Sequence, residues 1–210
     1  MKIAPLFAAL LLGLFLASCS TTSQISLDYV PNPGHIRPGQ PEFTTRLFVD
    51  QRNEEPLFLG TVRTQIGTPI ERVYTRSPAN QIVTNACGHA LQARGMLTSP
   101  NSARYIVTGE VLDLFCQMLV RPNGYARIRF KVIEAGSGQI LFNRVFEGER
   151  TGSAYLPGSG SPVPTLRDLT SGALQDAVDR ALDDGGFRAI VDGTGPRPGG
   201  PNPRFAPGML

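Results

Sequence analysis

Few side chains in this 210-residue chain can do covalent or metal chemistry: three cysteines, Cys19, Cys87 and Cys116, and two histidines, His35 and His89. His35 lies in a proline-rich stretch. His89 falls on a predicted helix two residues from Cys87, where helical geometry points the two side chains about 200° apart. No further ligand stands at i+3 or i+4, so His89 reads as a polar-face histidine and no metal site is expected. The acidic pairs Glu54-Glu55, Glu147 with Glu149, and Asp183-Asp184 fall in a turn, on a strand surface and at a helix end. None has the apolar surroundings that would split two carboxyl pKa values for acid–base work, so they read as solvated faces. The Gly-Ser-Gly-Ser-Pro run at 158–162 lacks the lysine of a phosphate-binding loop, and no serine sits at a strand-to-helix elbow. No catalytic residue, metal ligand or cofactor is assigned, and a non-enzymatic role is expected.

Cys19 differs because of what precedes it. Lys2 leads into a nearly continuous apolar run from Ile3 to Ala17. As a helix that run is about 22 Å long, short of the roughly 30 Å hydrocarbon core, and small residues follow it, as in a signal peptide covering residues 1–18. Leu16-Ala17-Ser18-Cys19 resembles the lipobox of bacterial lipoproteins. The resemblance implies that the Cys19 thiol carries diacylglycerol, that the chain is cut before it, and that the new amino terminus is acylated. Ser20, in place of Asp, resembles the sorting pattern for the outer membrane, so the periplasmic face of that membrane is the expected location. In that oxidising compartment Cys87 and Cys116 are either a disulfide pair or two small buried hydrophobes.

The formal charge of +3 is too mild to argue for nucleic acid binding. Residues 19–43 carry Pro31, Pro33, Pro38 and Pro41 with Gly34 and Gly39 and read as a lipidated tether, with one short edge strand where Ile25, Leu27 and Tyr29 alternate with polar residues. The folded domain is expected over 44–191. Leu47 and Val49 alternate with Arg46 and Phe48, and two more strands are predicted at 57–64 and 71–74 with a turn near Gly67. A helix follows, capped by Ser77 with Pro78 at its first position and ended by Arg94-Gly95. Residues 103–120 are apolar on both alternations, as in a covered central strand. After a turn at Pro122-Asn123-Gly124, Ala126, Ile128, Phe130 and Val132 alternate with Arg127, Arg129 and Lys131, and a hairpin at 135–138 returns through 139–149. Thr165 and Asp168 suggest a capped second helix, stopped at Gly185-Gly186, with Phe187, Ile190 and Val191 in a last short element. Residues 192–210 are rich in Gly and Pro and are expected to be a disordered tail. This order predicts an α+β, two-layer sandwich with a largely antiparallel sheet and two helices on one face.

Asp50-Gln51-Arg52-Asn53 with Leu59-Gly60, the helix end Leu91-Gln92-Ala93-Arg94-Gly95, and the long strand after Ala103-Arg104-Tyr105 resemble the YajG-like bacterial lipoproteins over about residues 44–191. What that resemblance implies is a lipid-anchored periplasmic domain; it brings no catalytic motif.

Arg127, Arg129 and Lys131 share one strand face at a spacing of about 7 Å. They are either contacts for a partner or for anionic lipid and lipopolysaccharide, or a hydrated face paired with acids such as Glu147 or Glu149. The leading expectation is a binding or scaffold module, held at the membrane by its lipid, with an envelope protein as partner. The alternative is an auxiliary lipoprotein of a lipid or lipopolysaccharide transport system, whose strands-on-two-helices layout this chain resembles. Because one acyl chain alone binds membranes only marginally, several chains at Cys19 must hold the protein. Cys19→Ser is therefore expected to move the protein from the membrane pellet to the soluble fraction on cell fractionation.

Overall fold

A computed structural model describes residues 21–31, 36–155, 158 and 160–194. Cys19, His35, the signal segment and the tail from 195 onward lie outside them. The strands are β1 (Thr21–Ile25), β2 (Phe43–Thr45), β3 (Val49–Asp50), β4 (Phe58–Arg63), β5 (Pro69–Thr75), β6 (Tyr105–Met118), β7 (Pro122–Glu134) and β8 (Ile140–Thr151). The helices are α1 (Ala79–Ala93), α2 (Val163–Asp183) and α3 (Gly185–Val191). They form one sheet in the order β1-β5-β4-β6-β7-β8, with β2 and β3 also on β6. The class is α+β, as expected. The long ladders β6–β7 and β7–β8 are antiparallel, whereas β1–β5, β2–β6, β3–β6 and β4–β6 are short and parallel.

β6 is the spine. One edge pairs with β7 along its whole length; the other is met in succession by β2 at Tyr105–Val107, β3 at Glu110–Val111 and β4 at Cys116–Met118. Between β3 and β4 this edge has no strand partner among the described residues, and Arg52 fills the gap. Its guanidinium donates to the carbonyls of Leu114 on β6 (3.1 Å) and Phe58 on β4 (2.9 Å) while Asp50 holds its other side. A charged donor thus satisfies ladder acceptors that would otherwise be unpaired.

The helices pack on one face of the sheet, where Val107, Val111, Leu114, Ile128, Phe130 and Val132 meet Leu91 of α1 and Leu166, Leu174, Val178 and Leu182 of α2 in one core. Two strand glycines let α2 come close. A Cβ at Gly124 would overlap the backbone of Leu169 and Thr170, and one at Gly148 would overlap the Ala173 carbonyl. Gly109 does the same for the Arg129 carbonyl across the β6–β7 ladder, and β6 has a bulge three residues later, between Val111 and Asp113.

Several local expectations change. The stretch read as tether is largely part of the domain: β1 pairs with β5, and Ile25, Leu27 and Tyr29 are buried in the core. Leu47 and Val49 face outward while Phe48 is buried against Phe130, the aromatic ring outbidding two aliphatic side chains for the core. The turn after β6 is at 119–121, and Pro122-Asn123-Gly124 belong to β7. Neither Ser77 nor Thr165 caps a helix: α1 begins after Pro78, and α2 starts at Val163, so Thr165 lies inside its first turn. Gly185-Gly186 begins α3, whose cap is the Asp184 carboxylate accepting from the Gly186 N–H.

Arg94, read as a helix-ending residue, is buried. It donates to Tyr29 Oη (3.3 Å), to the Ala90 carbonyl and to Asp179 of α2 (3.1 Å), with Asp183 at 3.5 Å. Tyr29 in turn donates to Asp179 at 2.6 Å. Burial, then the hydrogen bond to Asp179, pushes the Tyr29 hydroxyl far above its ordinary pKa, so it remains a donor at any physiological pH. Removing one partner of a buried pair leaves an uncompensated charge. Arg94→Ala is therefore expected to cost about 3 kcal/mol, whereas Arg127→Ala, at a half-exposed pair, should cost less than about 1 kcal/mol. Urea denaturation midpoints of the two variants provide the comparison.

Candidate interaction surface

The sheet face opposite the helices carries the predicted basic ladder. β7 alternates, so Ala126, Ile128, Phe130 and Val132 enter the core and Arg127, Arg129 and Lys131 stand on the open face. Their ion partners are on β6. Arg127 Nε donates to Asp113 (2.7 Å), and Arg129 and Lys131 both donate to Glu110 (2.6 Å each). The expected pairing with Glu147 or Glu149 across the β7–β8 hairpin is not made. Glu147 stands opposite Arg127 in register, but the bulge between Val111 and Asp113 swings Asp113 toward the same guanidinium, and Glu149 is taken by Asn123.

Aromatic pairs flank this ladder. Phe115 of β6 packs on Tyr125 of β7 with centroids 5.2 Å apart, and Phe58 of β4 meets Tyr74 of β5 edge-on at 5.5 Å with Arg72 over the Phe58 ring. All four rings are half-buried. The face therefore offers two amphipathic aromatic clusters beside a row of charges that are already paired. Sequence reading found the ladder but missed the aromatics, since their clustering depends on which strands are neighbours; Phe58 of β4 and Phe115 of β6 are 57 positions apart in the chain.

A cleft of about 350 Å³ opens between β4 and β6 beside Arg52, lined by polar groups such as Asn53, Glu54, Asp113 and Gln117 together with Phe58 and Phe115. A second, of about 260 Å³, lies between Leu27–Tyr29 and α1, with the exposed His89 on its wall. Among the described residues no three His, Cys, Asp or Glu side chains gather as metal ligands.

Cys87 and Cys116 are not bonded to each other; both are buried free thiols. Cys87 lies on the core side of α1, which packs on β2, β3 and β6, whereas Cys116 pairs with Gly60 of β4 near the far end of β6. They occupy separate parts of one core, and burial pushes both thiols up to about 12, so they stay protonated and inert.

No protein-family model matches the chain, and no curated protein matches its sequence. Among solved structures, protein XCC0632 from Xanthomonas campestris, described as DUF330, is similar at a TM-score of 0.58 and 13% identity, covering 82% of this chain and 97% of that one. An uncharacterized protein follows at 0.48 and 12%, covering 81% and 99%. A putative lipoprotein from Caulobacter crescentus stands at 0.42 and 15%, covering 54% and 83%. The first of these establishes a shared fold: the chain is an α+β domain with the architecture of the DUF330 protein. Among the described residues, no helix is long and apolar enough to cross a membrane.

The ladder makes stability depend on pH. The hydrogen bond from Lys131 holds the Glu110 carboxyl below its ordinary range against the opposing effect of burial, with the charges of Lys131 and Arg129 adding to it. A carboxyl depressed in the folded state stabilises it above the unfolded pKa of about 4.3, and that contribution is lost as pH falls through the lower folded value. Glu110→Gln is expected to cost at most about 1 kcal/mol at pH 7 and to flatten the acid-side fall in stability. Urea midpoints measured from pH 7 down to pH 3 read both effects.

Proposed function

We propose that the chain is a YajG-like lipoprotein, held by acyl chains on Cys19 at the periplasmic face of the outer membrane, whose domain binds an envelope protein through the open face of its sheet. The observation that carries this reading is the pairing of Phe115–Tyr125 and Phe58–Tyr74 with the ion-paired row Arg127, Arg129 and Lys131 on a face that no helix among the described residues covers. Tyrosine, phenylalanine and arginine are the side chains that anchor protein interfaces, because large rings bury much area at little entropic cost while a fixed charge row selects the partner. The Leu16–Cys19 motif and Ser20 support the anchor and its membrane. The role is binding rather than catalysis. Against the transport reading stands the lining of the described clefts: carboxylates and guanidinium groups are poor company for acyl chains.

The test is in-cell photocrosslinking of the full chain, with the crosslinking residue at position 125 and, as reference, at exposed position 85 on α1. A discrete envelope-protein adduct is expected from 125 alone. The paired exchange Arg127→Asp with Asp113→Arg keeps the ion pair but inverts its order on the surface, and should reduce that adduct about tenfold without changing thermal stability. An adduct equally strong from both positions would remove the sheet face as the binding surface. Phospholipid or lipopolysaccharide copurifying near one per chain would favour transport instead.

A further inference from the structure

The strand order places several separate stretches of chain at one end of the sheet. β1 starts there, with Thr21 opposite Glu71 at the beginning of β5. The β4–β5 turn lies at that end, since Arg63 pairs with Pro69. Because β4 and β6 run parallel with Val62 opposite Met118, the β6–β7 turn at 119–121 projects from the same end, beside the β4–β5 turn. Four of the exposed large hydrophobic residues are gathered here: Ile66 at the tip of one turn, 91% exposed, Ile70 just after it, and Leu119 and Val120 in the other. Arg63 and Arg121 stand among them, both exposed. Two turns that present branched aliphatic side chains and arginines to water, side by side, have no packing reason to do so.

The position of Cys19 supplies one. Only Ser20 separates it from Thr21, and two residues span at most about 7 Å. The segment after β1 gives no slack, because Ile25, Leu27 and Tyr29 are buried and Tyr29 is bonded to Asp179. The acyl chains and the two turns therefore share one end of the domain.

We infer that this rim, Ile66, Ile70, Leu119 and Val120 with Arg63 and Arg121, rests in the headgroup layer of the bilayer that holds the Cys19 acyl chains, and fixes the domain upright on the membrane. The inference rests on the lipoprotein reading. Aliphatic tips enter the interface between headgroups and chains, while arginines at the same depth meet lipid phosphates. Of the carboxylates at this end, Glu71 accepts a hydrogen bond from Ser23 and is drawn into the β1–β5 pair, and Glu149, near the end of β8, accepts one from the Asn123 amide. Held this way, the sheet stands with its open face lateral and its opposite end, the Ala135–Gln139 hairpin, farthest from the bilayer.

The experiment uses the full, processed chain reconstituted into vesicles of phosphatidylethanolamine and phosphatidylglycerol containing nitroxide-labelled phosphatidylcholine. A polarity-sensitive fluorophore is placed on single introduced cysteines, Ile66→Cys or Val120→Cys, with Ile140→Cys at the far hairpin as reference; the buried Cys87 and Cys116 do not compete for label. Nitroxide quenching and blue-shifted emission are expected at 66 and 120, with quenching at least about twofold greater than at 140. Equal, low quenching at all three positions in protein that floats with the vesicles would overturn the rim while leaving the anchor intact. Protein that does not float, with Cys19 unmodified by mass spectrometry, would overturn the lipoprotein reading and the rim with it.

Discussion

The arrangement depends on one buried cation. Arg94 sits past the end of α1 with its side chain 1% exposed, and its guanidinium meets the N-terminal segment through Tyr29, its own helix through Ala90, and α2 through Asp179 and Asp183. A charge in that position is tolerable only if every approach to it is polar, so the three pieces of chain must come together or all lose. Two atoms lack a hydrogen-bond partner among the described residues, Arg94 Nε and Asp183 Oδ1, which marks the hub as a compromise between two carboxylates competing for one donor group. Its structural effect is to seat residues 26–29 against the helices. That in turn sets β1 on the edge of the sheet.

Arg52 does the complementary work on the other side of the core. The spine strand β6 has more edge than β2, β3 and β4 can cover, and a backbone acceptor left over in a nearly closed position has to find a donor. One guanidinium nitrogen, Nη1, donates to Leu114 and Phe58 together while Nε and Nη2 reach Asp50 and the Pro56 carbonyl, a spread of donors that a lysine ammonium lacks. This gives a physical reason for the Asp50–Asn53 stretch: Asp50 orients the side chain that completes the sheet. With the gap bridged and Gly124 and Gly148 admitting α2 to backbone contact, the sheet is a stiff plate and its open face a fixed pattern of rings and charges.

Stiffness and placement together shape what the domain can do. A short connection from Cys19 to an edge strand orients a plate, where a long flexible tether would let it tumble. In the proposed anchoring, an oriented plate would present one lateral face and one distal hairpin to the periplasm. Binding by a stiff, oriented surface loses less entropy than binding by a mobile one, which suits the proposed role with a partner in the same envelope.

Much of this was legible in the residues alone, because it depends on local periodicity. The two-residue alternation of Ala126 to Val132 and the helical spacing of Ile82 to Leu91 give β7 and α1 with their buried faces, and the Leu16–Cys19 motif carries the proposed anchor without reference to any fold. What the tertiary structure alone decided involves residues far apart in sequence or cues that cancel locally. Pro31 and Pro33 made residues 19–43 look like a tether, yet Ile25, Leu27 and Tyr29 are buried in the core, Tyr29 bonded to a helix residue 150 positions away. Arg94 carries every local mark of a helix end and none of a buried ion, since its carboxylates come from α2. The ladder Arg127, Arg129 and Lys131 was evident, but its partners Glu110 and Asp113 were set by a bulge in β6, and a one-residue register change redirects every side chain beyond it. Cys87 and Cys116 remain thiols for the same reason: sequence counts cysteines, and only packing sets the distance between them.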